Sequence, residues 1–184
     1  MKSLLEQYLA KTEFTSYEDF VAHFSLAIPD NFNFAYDVMD ELARRSPDAP
    51  ALVWCDERGA EATFTYGQLK ELTDRSANVL HHAGIRKGDP VMLILKRRYE
   101  FWPTLLALHK LGAIAIPATH LLTTKDIVYR CKAADIVGIV CVDDDAVMTH
   151  VDEAAAFSPT LRYRAYVRSV HGDAASDPAL NRPV

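Results

Sequence analysis

A chain of 184 residues with a net charge of −5 has the size of one globular domain with an extension, and it lacks the excess of positive charge that draws proteins to nucleic acid or anionic lipid. Hydrophobic residues make up 49% and charged residues 24% of the sequence, proportions that exclude a disordered chain. No stretch approaches the ~20 apolar residues of a membrane-spanning helix, and the first residues lack the apolar core of a signal peptide. We therefore expect a globular protein with no membrane span and no nucleic-acid partner.

Residues 1–30 are predicted to form a helical extension. Ser16 begins a helix, because its hydroxyl can cap the amide of Asp19, and Pro29 ends the segment. A stripe of apolar residues at spacings of three and four indicates a packing face. This stripe consists of Phe14, Tyr17, Val21 and Phe24. A second stripe, formed by Ala35, Val38, Met39 and Leu42, predicts a helix that ends near residues 46–47, where a proline follows.

The next segment predicts a strand pair followed by a long helix. Residues 51–55 and 62–65 have strand composition and flank a turn. Thr65 and Gln68 form a capping-box pattern at the start of the helix, and Gly84 suits its C-terminal cap. The predicted buried face of this helix is formed by Leu69, Leu72, Ser76, Val79, Leu80 and Ala83.

Strands and helices then alternate. Strands are predicted at residues 91–95, 113–118, 136–142 and 161–167, and helices at residues 99–111, 123–133 and 145–157. Such alternation is typical of parallel βαβ units. The predicted fold class is therefore α/β, with a doubly wound, mostly parallel sheet and flanking helices over residues 31–168. Residues 169–184 have loop composition and are expected to form a poorly ordered tail.

Several kinds of site are excluded by the motifs. The seven glycines give neither a dinucleotide fingerprint nor a Walker phosphate loop, and no G-x-S-x-G elbow is present. The acidic run 143–145 lacks the glycine and the glutamate of a calcium loop, and it is expected to open a helix. The basic run 96–98 is expected to be a solvated strand end. We predict no metal site.

Three cysteines, at positions 55, 131 and 141, are an odd number without C-x-x-C spacing. They predict free thiols and a cytoplasmic protein. Cys55 and Cys141 lie in apolar runs and are expected to be buried.

Histidines offer one candidate for binding. His81, His82 and His109 lie on predicted helices and are interpreted as structural. His120 follows a strand at its C-terminal end, where open α/β sheets bind ligands. A functional and a structural role are both open for His120.

A series of segments, taken in order, resembles a known family. The segments are Asn31-Phe32-Asn33-Phe34-Ala35, Thr63-Phe64-Thr65-Tyr66-Gly67-Gln68-Leu69, Gly84-Ile85-Arg86-Lys87-Gly88-Asp89, Ala107-Leu108-His109-Lys110-Leu111-Gly112-Ala113-Ile114-Ala115-Ile116-Pro117 and Asp126-Ile127-Val128-Tyr129-Arg130. They resemble the N-terminal portion of AMP-forming acyl-CoA synthetases, in the branch of the adenylate-forming superfamily that holds medium-chain acyl-CoA and acetyl-CoA synthetases. The resemblance implies the N-terminal subdomain of the adenylate-forming fold.

Members of that family convert a carboxylic acid, ATP and CoA into acyl-CoA, AMP and pyrophosphate. The resemblance implies ATP, Mg²⁺ and CoA as ligands of a parent enzyme, and none for this chain, because the ATP-binding and catalytic motifs of the family do not occur within the 184 residues. The chain alone is therefore predicted to be inactive and to contain no catalytic residue. By resemblance, Thr119 and His120 border the tunnel for the pantetheine arm of CoA, although both residues could simply hold a turn.

Two partner classes and two rival functions remain open. The partner is either the remainder of a synthetase chain or a second copy bound through exposed apolar surface. The alternative function is a standalone, non-catalytic interaction module derived from the same fold. An unrelated flavodoxin-like binding domain is a third reading, and the ordered series of segments argues against it.

Overall fold

The computed structural model describes residues 4–57 and 59–168, and the predicted tail at 169–184 lies outside them. The helices are α1 (Leu5–Tyr8), α2 (Tyr17–His23), α3 (Glu41–Arg45), α4 (Tyr66–His82), α5 (Phe101–Leu111), α6 (Thr124–Ala134) and α7 (Asp145–Ala155), and a wider π-helix (Phe34–Asp40) leads directly into α3. The strands are β1 (Pro50–Cys55), β2 (Glu61–Thr65), β3 (Pro90–Ile94), β4 (Ile114–Pro117), β5 (Gly138–Val142) and β6 (Tyr163–Val167).

Four strands form a parallel sheet in the order β4-β3-β5-β6, which confirms the predicted fold class. The two inner strands are almost fully buried: residues 91–95 are at most 1% exposed and residues 138–142 are all buried. Continuous apolar sequence without alternation is the pattern that a strand covered on both faces requires. The predicted strands 113–118, 136–142 and 161–167 are each one to two residues too long at one or both ends.

The helices cover the two faces of the sheet in pairs. The connection from β3 to β4 runs toward one side of the sheet. The connection from β4 to β5 runs toward the other side and passes β3. Right-handed crossovers therefore place α5 and α6 on opposite faces. Helix α4 packs beside α5, and α7 packs beside α6 and on β5. No described helix is both long and apolar enough to cross a membrane.

The β1–β2 hairpin is antiparallel and lies apart from the main sheet. The indole of Trp54 donates a hydrogen bond of 2.7 Å from Nε1 to the carbonyl of Arg97, just after β3. Cys55 is exposed, so the prediction that it is buried was wrong. Cys55 ends β1 in a two-stranded hairpin outside the parallel sheet, and it pairs there with the exposed Glu61. Cys131 and Cys141 are buried.

Helix α4 begins with the predicted capping box, in which Thr65 and Gln68 satisfy each other's backbone amides. Its buried face differs from the prediction, because Val79 is 50% exposed. The buried positions are Leu69, Thr73, Ala77 and Leu80. Thr73 tolerates burial because its hydroxyl donates to the carbonyl of Leu69 at 2.7 Å.

The N-terminal helices depart most from the prediction. Tyr17 is 75% and Val21 is 62% exposed, so the predicted packing face of α2 does not pack on the rest of the chain. Instead, the ring of Phe20 contacts those of Phe14 and Phe24, with centroids 5.1 and 4.8 Å away. A helix of seven residues is short, and these local aromatic contacts replace a core contact.

A cluster of charges joins the π-helix to α4 and α5. The ammonium group of Lys110, whose side chain is 4% exposed, donates to both carboxylate oxygens of Asp40 at 2.8 and 2.7 Å and to Asp74 at 2.6 Å. Lys70 reaches Asp74 at 2.5 Å from the solvent side. The nitrogen of Lys110 also lies 5.0 Å from the ring centre of Tyr36. We call these four charged residues the Lys110 cluster.

Candidate functional site

The carboxyl ends of the parallel strands form the candidate site. In open α/β sheets ligands bind at this edge, at the point where the strand order reverses. Here the reversal lies between β3 and β5, because the chain leaves β3 toward β4 and leaves β5 toward β6. The loops after β3, β4 and β5 lie at this edge.

The loop after β3 is tied to the loop after β5 by an ion pair across the reversal point. Lys96 has a left-handed backbone, with φ of 52°, and its ammonium group lies 2.6 Å from Oδ2 of Asp144. The hydrogen bond from Lys96 is the main cause that lowers the pKa of Asp144. The other oxygen of Asp144 accepts the amides of Ala146 and Val147, which begin α7. The prediction that the acidic run opens a helix is confirmed.

The side chain of Arg98 is bound by other residues of the protein. It pairs with the buried Glu100, and it donates to the carbonyl of Arg168 at 2.6 Å, at the end of β6. The hydrogen bond with Glu100 raises the pKa of Arg98. The prediction of a solvated strand end is confirmed for Lys96 and Arg97, which are exposed, and is wrong for Arg98. The basic run therefore presents fewer free charges to a ligand than its sequence indicates.

Thr119 and His120 lie together in the loop after β4, and both are exposed. The hydroxyl oxygen of Thr119 accepts the amide of Leu121 at 3.3 Å. The imidazole of His120 forms no hydrogen bond or ion pair with the residues that the structure describes. Both side chains are thus at the edge where ligands gather, and a role in binding remains a prediction.

Two of the other described histidines, His82 and His109, lie away from this edge. His82 contacts the carbonyl of Asn78 in its own helix at 2.7 Å. His109 faces the interior: its Nδ1 is buried without a hydrogen-bond partner in the described chain, and burial lowers its pKa. Among residues 4–57 and 59–168, no group of three His, Cys, Asp or Glu side chains is arranged to hold a metal ion.

Two contacts at this edge were missed by the sequence analysis. The first is the Lys96–Asp144 pair, for which a basic run after one strand and an acidic run after the neighbouring strand were an available signal. The second is the contact of His150, on α7, with the carbonyl of Leu122 at 3.1 Å. No local sequence pattern predicts this contact, because it joins residues 28 positions apart.

Residues 39–180 match the model of the family described as AMP-binding enzyme. The chain belongs to this family. The match covers most of the chain and includes all four strands of the parallel sheet.

Similar curated proteins are acyl-CoA synthetases. Acyl-coenzyme A synthetase ACSM5, mitochondrial, from Rattus norvegicus is 37% identical over 146 residues, which are 76% of this chain and 25% of that protein. Acyl-coenzyme A synthetase ACSM3, mitochondrial, from Mus musculus is 34% identical over 175 residues, which are 91% of this chain and 30% of that protein. The chain thus corresponds to a partial segment of acyl-CoA synthetases, and it spans less than a third of the length of these relatives.

Solved structures agree on the fold. The N-terminal domain of FACL13 from Mycobacterium tuberculosis superposes with a TM-score of 0.66 at 24% identity, over 74% of this chain and 34% of that one. A benzoate CoA ligase from Burkholderia xenovorans LB400 superposes with a TM-score of 0.61 at 22% identity, over 76% of this chain and 26% of that one. The fold is that of the N-terminal domains of adenylate-forming enzymes.

Proposed function

We propose that the chain is the N-terminal part of an AMP-forming acyl-CoA synthetase, which joins a carboxylic acid to CoA with cleavage of ATP to AMP and pyrophosphate. The family match and the acyl-CoA synthetases among the relatives support this assignment. The structural observation that carries it is the exposed Thr119–His120 loop at the ligand-binding edge of the sheet. Its proposed task is to border the pantetheine arm of CoA.

The geometry of the loop suits an amide-rich ligand. The oxygen of Thr119 accepts the amide of Leu121, so its hydroxyl proton is still available to donate to a ligand. The exposed imidazole of His120 is a second hydrogen-bonding group on the same loop. Both groups match the carbonyl and N–H groups of a pantetheine chain.

ATP and Mg²⁺ belong to the proposed parent enzyme, where they supply the leaving group and offset phosphate charge. The residues of this chain do not fit them: no glycine-rich phosphate loop occurs in the sequence, and the described residues contain no cluster suited to a metal. We therefore assign no residue of the chain to the adenylation step.

The experiment compares substitutions in the whole synthetase. His120→Ala should raise the KM for CoA about fivefold, the effect of a lost hydrogen bond worth ~1 kcal/mol. Acid-dependent ATP–pyrophosphate exchange should stay unchanged. His82→Ala is the matched control, because His82 is an exposed histidine near the opposite edge of the sheet. Unchanged CoA kinetics in His120→Ala, with reduced stability, would assign the residue to the structure of the turn.

The proposed partner of the chain is the remainder of the synthetase, with self-association as the alternative. Among described residues, β4 and β6 each pair on one side only, and Ile114 on β4 is 52% exposed. An open, apolar strand edge favours association. Light scattering coupled to gel filtration measures self-association. A concentration-dependent dimer or oligomer of the 184-residue chain is expected, and a monomer at all concentrations would contradict self-association.

One observation favours the standalone interaction module as a second candidate. Helices of the chain itself cover both faces of the parallel sheet, so its core is already buried. A stop codon at the end of the segment in an expressed transcript would support this candidate. A reading frame that continues into a Thr/Ser/Gly-rich loop ending in Pro-Lys would support the synthetase.

We also propose a cytoplasmic location, which the three free thiols support. The relatives named above are called mitochondrial. Fractionation of cells that express the natural gene distinguishes the two compartments.

A further inference from the structure

The loop that carries Thr119 and His120 is attached to the scaffold at two points. At its start, the amide of Ala118 donates to the carbonyl of Leu93 at 2.9 Å and so prolongs the β3–β4 ladder. At its end, Leu122 is buried, and Nδ1 of His150 lies 3.1 Å from the carbonyl of Leu122. The three residues between these points are exposed.

The chemistry of the second attachment is defined by its acceptor. A carbonyl oxygen only accepts hydrogen bonds, so the proton must lie on Nδ1 of His150. His150 is on α7, which packs on β5 and α6 and begins at the Asp144 cap. The imidazole therefore connects the loop after β4 to a helix that follows β5, on the other side of β3.

Contacts after Leu122 hold the first turn of α6 but do not reach back into the loop. Thr123 and Asp126 form a capping box, and the hydroxyl of Thr124 donates to Glu153 on α7 at 2.7 Å. Within the loop, the oxygen of Thr119 accepts the amide of Leu121, and no other side-chain hydrogen bond joins residues 119–121 to the described part of the chain. Besides the burial of Leu122, the bond from His150 is the contact that holds the end of the loop to α7.

We propose that His150 is a positioning residue for the Thr119–His120 loop and, through it, for CoA. The second half of this inference rests on the proposed function. His150 does not touch the ligand in this proposal. It restricts the exposed loop to the conformation in which the groups of Thr119 and His120 face the same ligand.

The first experiment measures amide hydrogen exchange in the 184-residue chain. His150→Phe keeps a ring of similar size without the donor, and His150→Asn keeps a donor near the position of Nδ1. Exchange at the Leu121 amide should become about fivefold faster in His150→Phe and return close to wild type in His150→Asn. The amides of the central strands β3 and β5 should be unchanged.

The matched control is His82→Phe. The described hydrogen bond of the His82 ring is with the carbonyl of Asn78, in its own helix. His82→Phe should leave the loop exchange as in wild type. Equal exchange in wild type and His150→Phe overturns the inference. So does faster exchange throughout the chain, because His150 would then stabilise the whole fold rather than the loop.

The second experiment repeats these variants in the whole synthetase and separates the inference from the function on which it rests. His150→Phe should raise the KM for CoA several-fold, leave acid-dependent ATP–pyrophosphate exchange unchanged, and be rescued by His150→Asn. If His120→Ala raises the KM for CoA and His150→Phe does not, this inference fails and the proposed function stands. If loop exchange responds to His150→Phe but neither variant affects CoA, the loop attachment stands and the CoA role fails.

Discussion

Removal of the ammonium group of Lys110 is the most informative test of what holds the fold together. Lys110→Met keeps the buried apolar stem and deletes three charge-assisted hydrogen bonds, to Asp40 and Asp74. Each such bond is worth ~1.5–3 kcal/mol where both partners are buried. The side chains of the two carboxylates are 20% and 41% exposed, so water recovers part of that energy. We therefore expect a loss of about 2–3 kcal/mol in the free energy of unfolding.

Urea and thermal unfolding followed by circular dichroism measure this loss. For a chain of this length it corresponds to a Tm lower by roughly 4–12 °C. Lys70→Met is the matched control, because Lys70 pairs with the same Asp74 but its side chain is 41% exposed. Exposed pairs contribute ~0–1 kcal/mol. Ordinary surface substitutions change the free energy of unfolding by up to about 0.5 kcal/mol. A change no larger than this in Lys110→Met would refute the reasoning, and so would equal losses in Lys110→Met and Lys70→Met.

The acid dependence adds a second condition. Burial raises the pKa of Asp74, but the hydrogen bonds from Lys110 and Lys70 outweigh burial and hold it below its ordinary value of 3.8. A lowered pKa in the folded state means that the stabilisation is present above the unfolded value and is lost as the pH falls through the folded value. The stability difference between wild type and Lys110→Met should therefore shrink below about pH 4.

Two further predictions concern thiols and a glycine. Cys55 should react with a thiol reagent in the native chain at pH 8, whereas Cys131 and Cys141 should react only after unfolding. Burial raises the pKa of both buried thiols, and that of Cys141 to about 12. Fast labelling of more than one thiol in the native chain would contradict this prediction. Gly112→Ala should lower the free energy of unfolding in urea by about 1–2 kcal/mol. Gly112 ends α5 with φ of 65°, and a Cβ there would lie 3.1 Å from Cγ of Lys87. An unchanged urea midpoint would contradict this prediction.

Elements with strong local signals could be predicted from the sequence. The capping box at Thr65 formed as expected, because Gln68 lies three residues later in the same chain segment. The apolar run of β3 predicted a strand covered on both faces, and the structure confirms it. In these cases the local preference and the tertiary environment favour the same structure.

Other features depend on the environment and could not be predicted. The stripe of α2 indicates a packing face, yet Tyr17 is exposed because no described layer lies over it. The π-helix Phe34–Asp40 replaces a predicted α-helix, and the partner of its Asp40 is the distant Lys110. The sequence predicts a candidate site in the loop after β4, and that site stays a prediction. The contact of His150 with Leu122 could not be predicted, because it depends on the packing of α7.

Acid-dependent ATP–pyrophosphate exchange by the purified 184-residue chain tests the central claim most directly. In the proposed function, the chain supplies a loop for CoA and no group for ATP, Mg²⁺ or the developing charge of adenylation. With acetate, butyrate or octanoate as the acid, exchange should equal that of a no-protein control, while a whole synthetase that contains the segment should exchange readily. Exchange by the chain alone, clearly above the control and dependent on the acid, would contradict the account.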